Sequence, residues 1–458
     1  MKPTLARAGA LAAAALLAGG PAAAAVAPPQ VDPALPPPAG TAGPAQPLVQ
    51  RSPCTTGAVL PGTDPAAQNP NPAVLDLPAA WRLSRGAGET VAVIDTGVTP
   101  GPRLPEVRPG GDYVAAGDGL TDCDGHGTLV AGLIAGRPGD DGFSGVAPDA
   151  RLIAIRQTSA HYQPAAPGGD PQQARAAIDV ASLARAVVRA ADLGARVINI
   201  SVATCLPADR TPEQAELGAA LRYAAVERDA VIVAAAGNLG NGGPDGAGCE
   251  PNPLGSAADP QDPRNWAGVA SVSVPSWWQP YVLSVGSVDA AGAPSAFTMP
   301  GPWVGVAAPG EQIVSVSNAP DGGLANALTG REGEPYPARG TSYAAAYVSG
   351  VAALVRSRFP QLRADEVIHR ITATAQGAGR SPSNLVGTGR VDPVAALTWD
   401  VPPPPEGPPA PRRIDPPPAP PERDPLPRIV AFTGVGVLVV ALLSGLAIKA
   451  HRRKDDTV

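Results

Sequence analysis

Asp95, His126 and Ser342 are side chains of the three types that nucleophilic acyl transfer needs, and each stands in a glycine-bearing motif. Asp95 opens Asp95-Thr96-Gly97, His126 is the centre of Asp124-Gly125-His126-Gly127-Thr128, and Ser342 closes Gly340-Thr341-Ser342. A serine hydroxyl is a weak nucleophile and needs a base within hydrogen-bond reach. The chain has only four histidines, so few imidazoles are available, and His126 is placed to take that proton. A carboxylate such as Asp95 holds the imidazole tautomer and stabilises the imidazolium. Glycines beside His126 and before Ser342 let the backbone approach a substrate closely. An Ala-rich helical run begins at Ser342, so a backbone N–H and a positive dipole end face any developing oxyanion. Asn238 closes Ala234-Ala235-Ala236-Gly237-Asn238. Its amide is a second oxyanion donor, an effect worth roughly 3–4 kcal/mol in such sites.

The elements that must position these groups are legible as short apolar runs. Thr90–Asp95, Arg151–Arg156, Val197–Ser201, Ala230–Ala235 and Tyr281–Gly286 each contain β-branched residues without strict alternation. That is the pattern of strands buried on both faces. Helical patterns over Leu129–Ala135, Ile178–Leu193, Pro212–Arg228 and Tyr343–Arg358 separate or follow them. Strand–helix alternation predicts an α/β fold, with a mostly parallel sheet and helices on both faces. Sites in such sheets lie beyond the carboxyl ends of strands, where Asp95 and Asn238 fall.

Composition narrows the class and the compartment. Net charge is −6, which argues against nucleic acid as a partner. Proline and glycine together make about 24% of the chain, against roughly 12% on average, but the excess is local. Residues 1–25 read as a signal peptide, with Lys2 and Arg7, an apolar stretch and an Ala-rich exit. Residues 26–73 hold 13 prolines and read as an extended arm wrapping the core. Residues 74–400 are the folded body. Residues 401–428 hold 14 prolines, a semi-rigid spacer. Residues 429–448 are 20 residues without a charge, about 30 Å of helix, which is one bilayer core. Lys449, Arg452, Arg453 and Lys454 follow and place the stub 449–458 in the cytoplasm and the body outside the membrane.

The chain order Asp, His, Ser is that of the subtilisin type. Asp95-Thr96-Gly97, Asp124-Gly125-His126-Gly127-Thr128, Ala236-Gly237-Asn238 and Gly340-Thr341-Ser342-Tyr343-Ala344 resemble the four subtilase signatures in the right order, over about residues 74–398. With the signal peptide, arm, spacer and span, the whole resembles the mycosins, membrane-anchored subtilases of type VII secretion systems. The resemblance implies a subtilisin-like three-layer sandwich and a serine endopeptidase without cofactor or metal. Its substrate would be an exported polypeptide and its partners the secretion membrane complex. It also implies that Ser201, Val202 and Ala203 flank the substrate. The other role consistent with it is structural, a body stabilising the secretion complex with proteolysis secondary. Two positions depart from the pattern: Ala346 stands where a proline is usual, and Leu129 where many relatives are polar or aromatic.

The remaining chemistry-bearing residues have plainer expectations. Cysteines outside the membrane are free to oxidise. If the strands ending near Ser201 and Ala235 are neighbours, Cys205 and Cys249 emerge at one edge and pair, leaving Cys54 for Cys123. Asp122 and Asp124 read as solvated acids at the site rim rather than a calcium loop. His161 reads as a surface-loop residue and His369 as an exposed helix position. Trp277 and Trp278 read as partly buried packing residues.

Overall fold

In the computed structural model, the described residues are 26–404 and 426–455, apart from 167–169, 241–248, 255–260, 331–332, 378 and 380–381. The signal-peptide segment 1–25 and most of the spacer lie outside them. Among the described residues, nine strands form the central sheet: β1 Thr90–Asp95, β2 Val107–Asp112, β3 Arg151–Arg156, β4 Val197–Ile200, β5 Val231–Ala235, β6 Val282–Val288, β7 Val304–Pro309, β8 Gln376–Gly377 and β9 Gly389–Arg390. Their order is β8-β9-β7-β6-β5-β4-β1-β3-β2. Every pairing is parallel except β8 with β9.

All six residues of β1 are buried, which is why the strand is a continuous apolar run rather than an alternating one. Alternation still sorts its side chains between layers. Val91 and Val93 join a core that includes Leu129, Leu133, Tyr347 and Val351, while Ala92 and Ile94 join one with Val180, Leu183, Leu217 and Leu221. Helices α1 His126–Ala135 and α4 Thr341–Arg358 supply the first layer, and α2 Pro171–Asp192 and α3 Ala215–Arg222 the second. The α4 helix is buried from Thr341 to Arg356, and its small residues allow the close approach that this central position requires. The fold is therefore the three-layer sandwich expected. Helices α5 Ala364–Ala373 and α6 Pro393–Thr398 close the body.

Several boundaries differ from the expected ones, for identifiable reasons. The β2 strand, Val-Arg-Pro-Gly-Gly-Asp, has no apolar run, and it is tolerated because it is an edge strand, where proline loses no ladder bond. The β7 strand was hidden by Gly305 and its terminal Pro309. The α2 helix starts seven residues before the apolar periodicity does, because Asp170 caps it by accepting from Gln172 N (2.9 Å) and Pro171 occupies its first position. The expected helix over Pro212–Arg228 is split into α3 and a π-helical turn, Tyr223–Glu227.

The proline-rich residues after 25 lie extended against this body. Arg185 of α2 donates to Gly43 O (3.0 Å), and Gly43 N donates to Asp112 O (2.8 Å). Leu48–Gln50 pairs antiparallel with Tyr162–Pro164, and Gly57–Ala58 with Ala327–Leu328. Between those two pairings Cys54 is bonded to Cys123, with Cα atoms 4.5 Å apart. Cys205 is bonded to Cys249, with Cα atoms 5.2 Å apart. The second compact unit is the helix α7, Leu426–Asp455. Its apolar part, Leu426–Lys449, is 24 residues long, about 36 Å and long enough to cross a bilayer.

Non-reducing peptide mapping is expected to recover Cys54–Cys123 and Cys205–Cys249, and a mature N-terminus near Ala24–Pro28. Replacing Cys54 and Cys123 together with serine is expected to lower unfolding stability by about 4 kcal/mol, the loop-closure value for a linkage of this span. A mature N-terminus beyond Cys54 would contradict retention of the extended segment.

Candidate active site

Asp95 ends β1, with β4 on one side and β3 on the other, and has no exposed surface. Its Oδ1 lies 2.7 Å from His126 Nδ1 and accepts from Thr96 N at 2.7 Å. An ionised carboxylate only accepts, so in the neutral imidazole the proton sits on Nδ1 and Nε2 is left as the basic nitrogen. Among the described residues, Asp95 Oδ2 has no hydrogen-bond partner.

His126 is the first residue of α1, so the helix start is what aims it. Asp122 holds that start in place. Its Oδ1 accepts from Gly125 N (2.8 Å) and Thr96 Oγ1 (2.8 Å), and its Oδ2 from Thr128 N (2.8 Å) and Thr128 Oγ1 (2.6 Å). Orphan N–H groups of the first turn are thus satisfied by one carboxylate. The approach of α1 to the end of β1 is tight. A Cβ on Gly127 would lie 2.0 Å from Gly97 O and 3.1 Å from Asp95 Oδ1, so only glycine fits there. The His126 ring also packs against Tyr343, with ring centroids 5.3 Å apart.

Three expectations are corrected here. Asp122 and Asp124 are buried rather than solvated, at 5% and 7% exposure. Asp124 accepts from Ser159 Oγ (2.6 Å) and Ala160 N (2.8 Å). His161 is buried as well, not on a surface loop, because the extended segment covers it: Ser52 Oγ is 2.8 Å from its Nδ1 and Thr55 Oγ1 is 3.3 Å from its Nε2. His369 is half-buried on α5, with Nε2 3.2 Å from Pro402 O. Trp277 and Trp278 are packing residues whose indole N–H groups share Gln214 Oε1, at 3.0 and 2.9 Å. Among the described residues, no cluster of three His, Cys, Asp or Glu is placed to hold a metal.

Ser342 is the second residue of α4. Its Oγ donates to Ser201 O (2.7 Å), and Ser201 Oγ donates to Ser342 O (2.9 Å). Asn238 Oδ1 accepts from Thr341 N (3.0 Å) and Thr341 Oγ1 (3.1 Å). That fixes the amide so that Nδ2 lies 3.2 Å from where a Cβ on Gly340 would sit. The disulfide partner Cys249 braces the same loop, its N donating to Asn238 O at 2.8 Å. Val202 and Ala203 line a small cavity of about 40 Å³ with Thr96, Gln157, Thr158 and Ala160. A larger cavity of about 340 Å³ lies among Leu104, Val107 and Leu152, at the opposite ends of the strands, and is lined by no serine, cysteine or histidine.

Electrostatics follow from burial. Burial pulls the His126 imidazole down, but the charge and hydrogen bond of Asp95, with the charges of Asp122 and Asp124, outweigh it and raise its pKa above the ordinary value. Burial, then the Asp124 charge, push Asp122 up to about 6 against the pull of its hydrogen bonds. Thr96 supports this site and was not singled out for it from sequence, while Asp122 was placed at its rim as a solvated acid rather than as the buried cap it is.

The subtilase family model matches residues 86–389. Mycosin-3 of Mycobacterium tuberculosis (strain ATCC 25618 / H37Rv) is 59% identical over 434 residues, 94% of each chain. Among solved structures, the MycP3 protease from the type VII (ESX-3) secretion system is 71% identical with a TM-score of 0.79, covering 82% of this chain and all of that one. A chain of an intact ESX-5 inner membrane complex is 47% identical with a TM-score of 0.79, covering 92% and 99%.

Because Asp122 and His126 both bind protons more tightly in the folded chain, folding takes up protons and stability falls as pH rises through their raised pKa values. Urea unfolding between pH 4 and 7 is expected to show this fall for the native chain, beginning near pH 4. In Asp122→Asn the fall between about pH 4 and 6 is expected to become shallower by the share of Asp122, leaving the share of Asp124 and Glu89, whose carboxyls burial also pushes up. Parallel pH curves for the two proteins would contradict the burial argument.

Proposed function

The chain belongs to the subtilase family and is a serine peptidase of the mycosin kind; from that premise we propose that Ser342 is its nucleophile, His126 its general base and Asp95 the group that orients the base. The observation that carries the reading is the buried 2.7 Å contact of His126 Nδ1 with Asp95 Oδ1. On substrate binding, Ser342 Oγ turns from Ser201 O towards His126, which takes its proton as Oγ attacks the scissile carbonyl. The oxyanion that forms receives hydrogen bonds from the Asn238 amide and from the N–H at the start of α4. The imidazolium then protonates the leaving amine, and the acyl-enzyme is hydrolysed by a water that His126 deprotonates. Ser201, Val202 and Ala203 flank the substrate, as their place between Ser342 and the small cavity supports.

The substrate we propose is an exported polypeptide, and the setting a type VII secretion membrane complex, since the similar solved chains come from such systems. Residues 1–25 direct export, 429–448 anchor the chain, and the basic stub faces the cytoplasm. The extended segment 26–73 stays with the mature body, which its disulfide and two strand pairings support. Activity rather than scaffolding alone is favoured, because a scaffold has no use for a buried carboxylate–imidazole pair.

A fluorophosphonate probe is expected to label the native protein, to leave Ser342→Ala and His126→Ala unlabelled, and to label Asn238→Ala about 10²–10³-fold more slowly. The labelling rate is expected to fall as pH drops through the raised His126 pKa, above the ordinary value of about 6.5. In Asp95→Asn that limb moves to lower pH and the rate drops by about 10⁴. Labelling of Ser342→Ala at another serine would refute the assignment. For topology, protease added outside cells lacking an outer barrier is expected to remove the body and spare the span; digestion confined to Lys449–Val458 would reverse the orientation.

A further inference from the structure

Behind Ser342 runs a line of buried polar side chains, two of which, Asn199 and Ser349, have no part in the reaction as proposed. Ser349 lies on the same face of α4 as Ser342, about two turns further on. Its Oγ donates to Asn199 Oδ1 (2.9 Å), and Asn199 Nδ2 donates to Ser201 Oγ (2.8 Å). Ser201 Oγ then donates to Ser342 O (2.9 Å), while Ser201 O accepts from Ser342 Oγ (2.7 Å). Ser349 and Asn199 have no exposed surface, and Ser201 has 1%.

The direction of each bond in this line depends on the one before it. A carbonyl only accepts, so Ser201 must spend its single proton on Ser342 O. Its lone pairs must then be met by a donor, and Asn199 Nδ2 is that donor. The two ends of an amide are nearly isosteric, and an amide turned over would present Oδ1 to Ser201 and leave two acceptors facing each other. The amide's orientation is set from the Ser342 carbonyl end, and Ser349 Oγ, a hydroxyl free to turn, meets the Oδ1 so presented with its proton and pins the amide in place. We propose that Ser349 is a positioning residue. It closes a four-residue hydrogen-bond chain across the β4–α4 interface by satisfying Asn199 Oδ1, and that chain holds the main chain of Ser342 in register with Ser201.

The role rests on Ser342 being the nucleophile. It predicts that losing the Ser349 hydroxyl loosens Ser342 without touching His126 or Asp95. The full-length protein in detergent is reacted with the fluorophosphonate probe over a concentration range, separating reversible binding from the covalent step. In Ser349→Ala the covalent step is expected to slow about tenfold, the value of one hydrogen bond's worth of positioning. Reversible binding is expected to stay within about twofold, and the pH of the acid limb to be unchanged. Should Ser349→Ala fail to fold, Ser349→Cys carries the same expectation, its thiol being a weak donor. In a Ser201→Ala background, where the line is already cut, Ser349→Ala is expected to have no further effect on the covalent step.

A covalent step within twofold of native in Ser349→Ala, or an equal slowing with and without Ser201, would overturn this role. Label lost in Ser342→Ala with Ser349→Ala unaffected would overturn the role of Ser349 alone. Label persisting in Ser342→Ala would overturn the nucleophile assignment, and this role with it.

Discussion

A carboxylate with no exposed surface pays a heavy desolvation penalty unless charge and hydrogen bonds answer it, and Asp95 is such a carboxylate. Its Oδ1 is answered by the imidazole of His126 and by Thr96 N, each at 2.7 Å. Meeting that requirement constrains much of the surrounding fold. The strand must end at Asp95 in the middle of the sheet, the α1 helix must begin beside it, and no side chain can stand at Gly127 between them. Asp122 then fixes the helix start by filling both carboxylate oxygens with donors. The same burial that makes Asp122 a good cap raises its pKa to about 6. Stability of the centre therefore falls as pH rises through that range, while His126, the base we propose, would act only unprotonated.

The two disulfides work at the same end of the sheet as the chemistry. Cys123 lies three residues before His126, and its bond to Cys54 holds the extended N-terminal segment across Asp124 and His161. Cys249 lies beyond Asn238 and donates its N–H to Asn238 O, while its bond to Cys205 ties that loop to the chain that leaves β4 past Ser201. Loops at the carboxyl ends of parallel strands carry function because the sheet holds their roots still. Here covalent bonds also tie the residues flanking His126 and Asn238 to other parts of the chain. The polar line from Ser349 to Ser342 does the same work inside the body, where a disulfide has no place.

Much of this was legible in the amino-acid sequence because it is local. Asp95, His126, Asn238 and Ser342 each sit in a motif of a few residues at the end of a strand or the start of a helix, where a turn, a glycine and a chemical group must coincide. Continuous apolar runs marked five of the buried strands, because a strand covered on both faces has no polar side to show, but not β7, whose run is broken by Gly305. The edge strand β2 escaped, since an edge can carry proline, glycine and charge without breaking a ladder. The partners of Asp122, His161 and Asn199 were not legible: His161 meets Ser52 across 109 residues and Asn199 meets Ser349 across 150. Whether a polar residue is solvated or buried and satisfied depends on what the rest of the chain lays over it. Residue type and spacing thus determined which groups are proposed for catalysis and which ends of which elements carry them. Tertiary packing decided which of the remaining polar residues support those groups, because a buried hydrogen bond is made between whichever donors and acceptors the packed layers bring face to face.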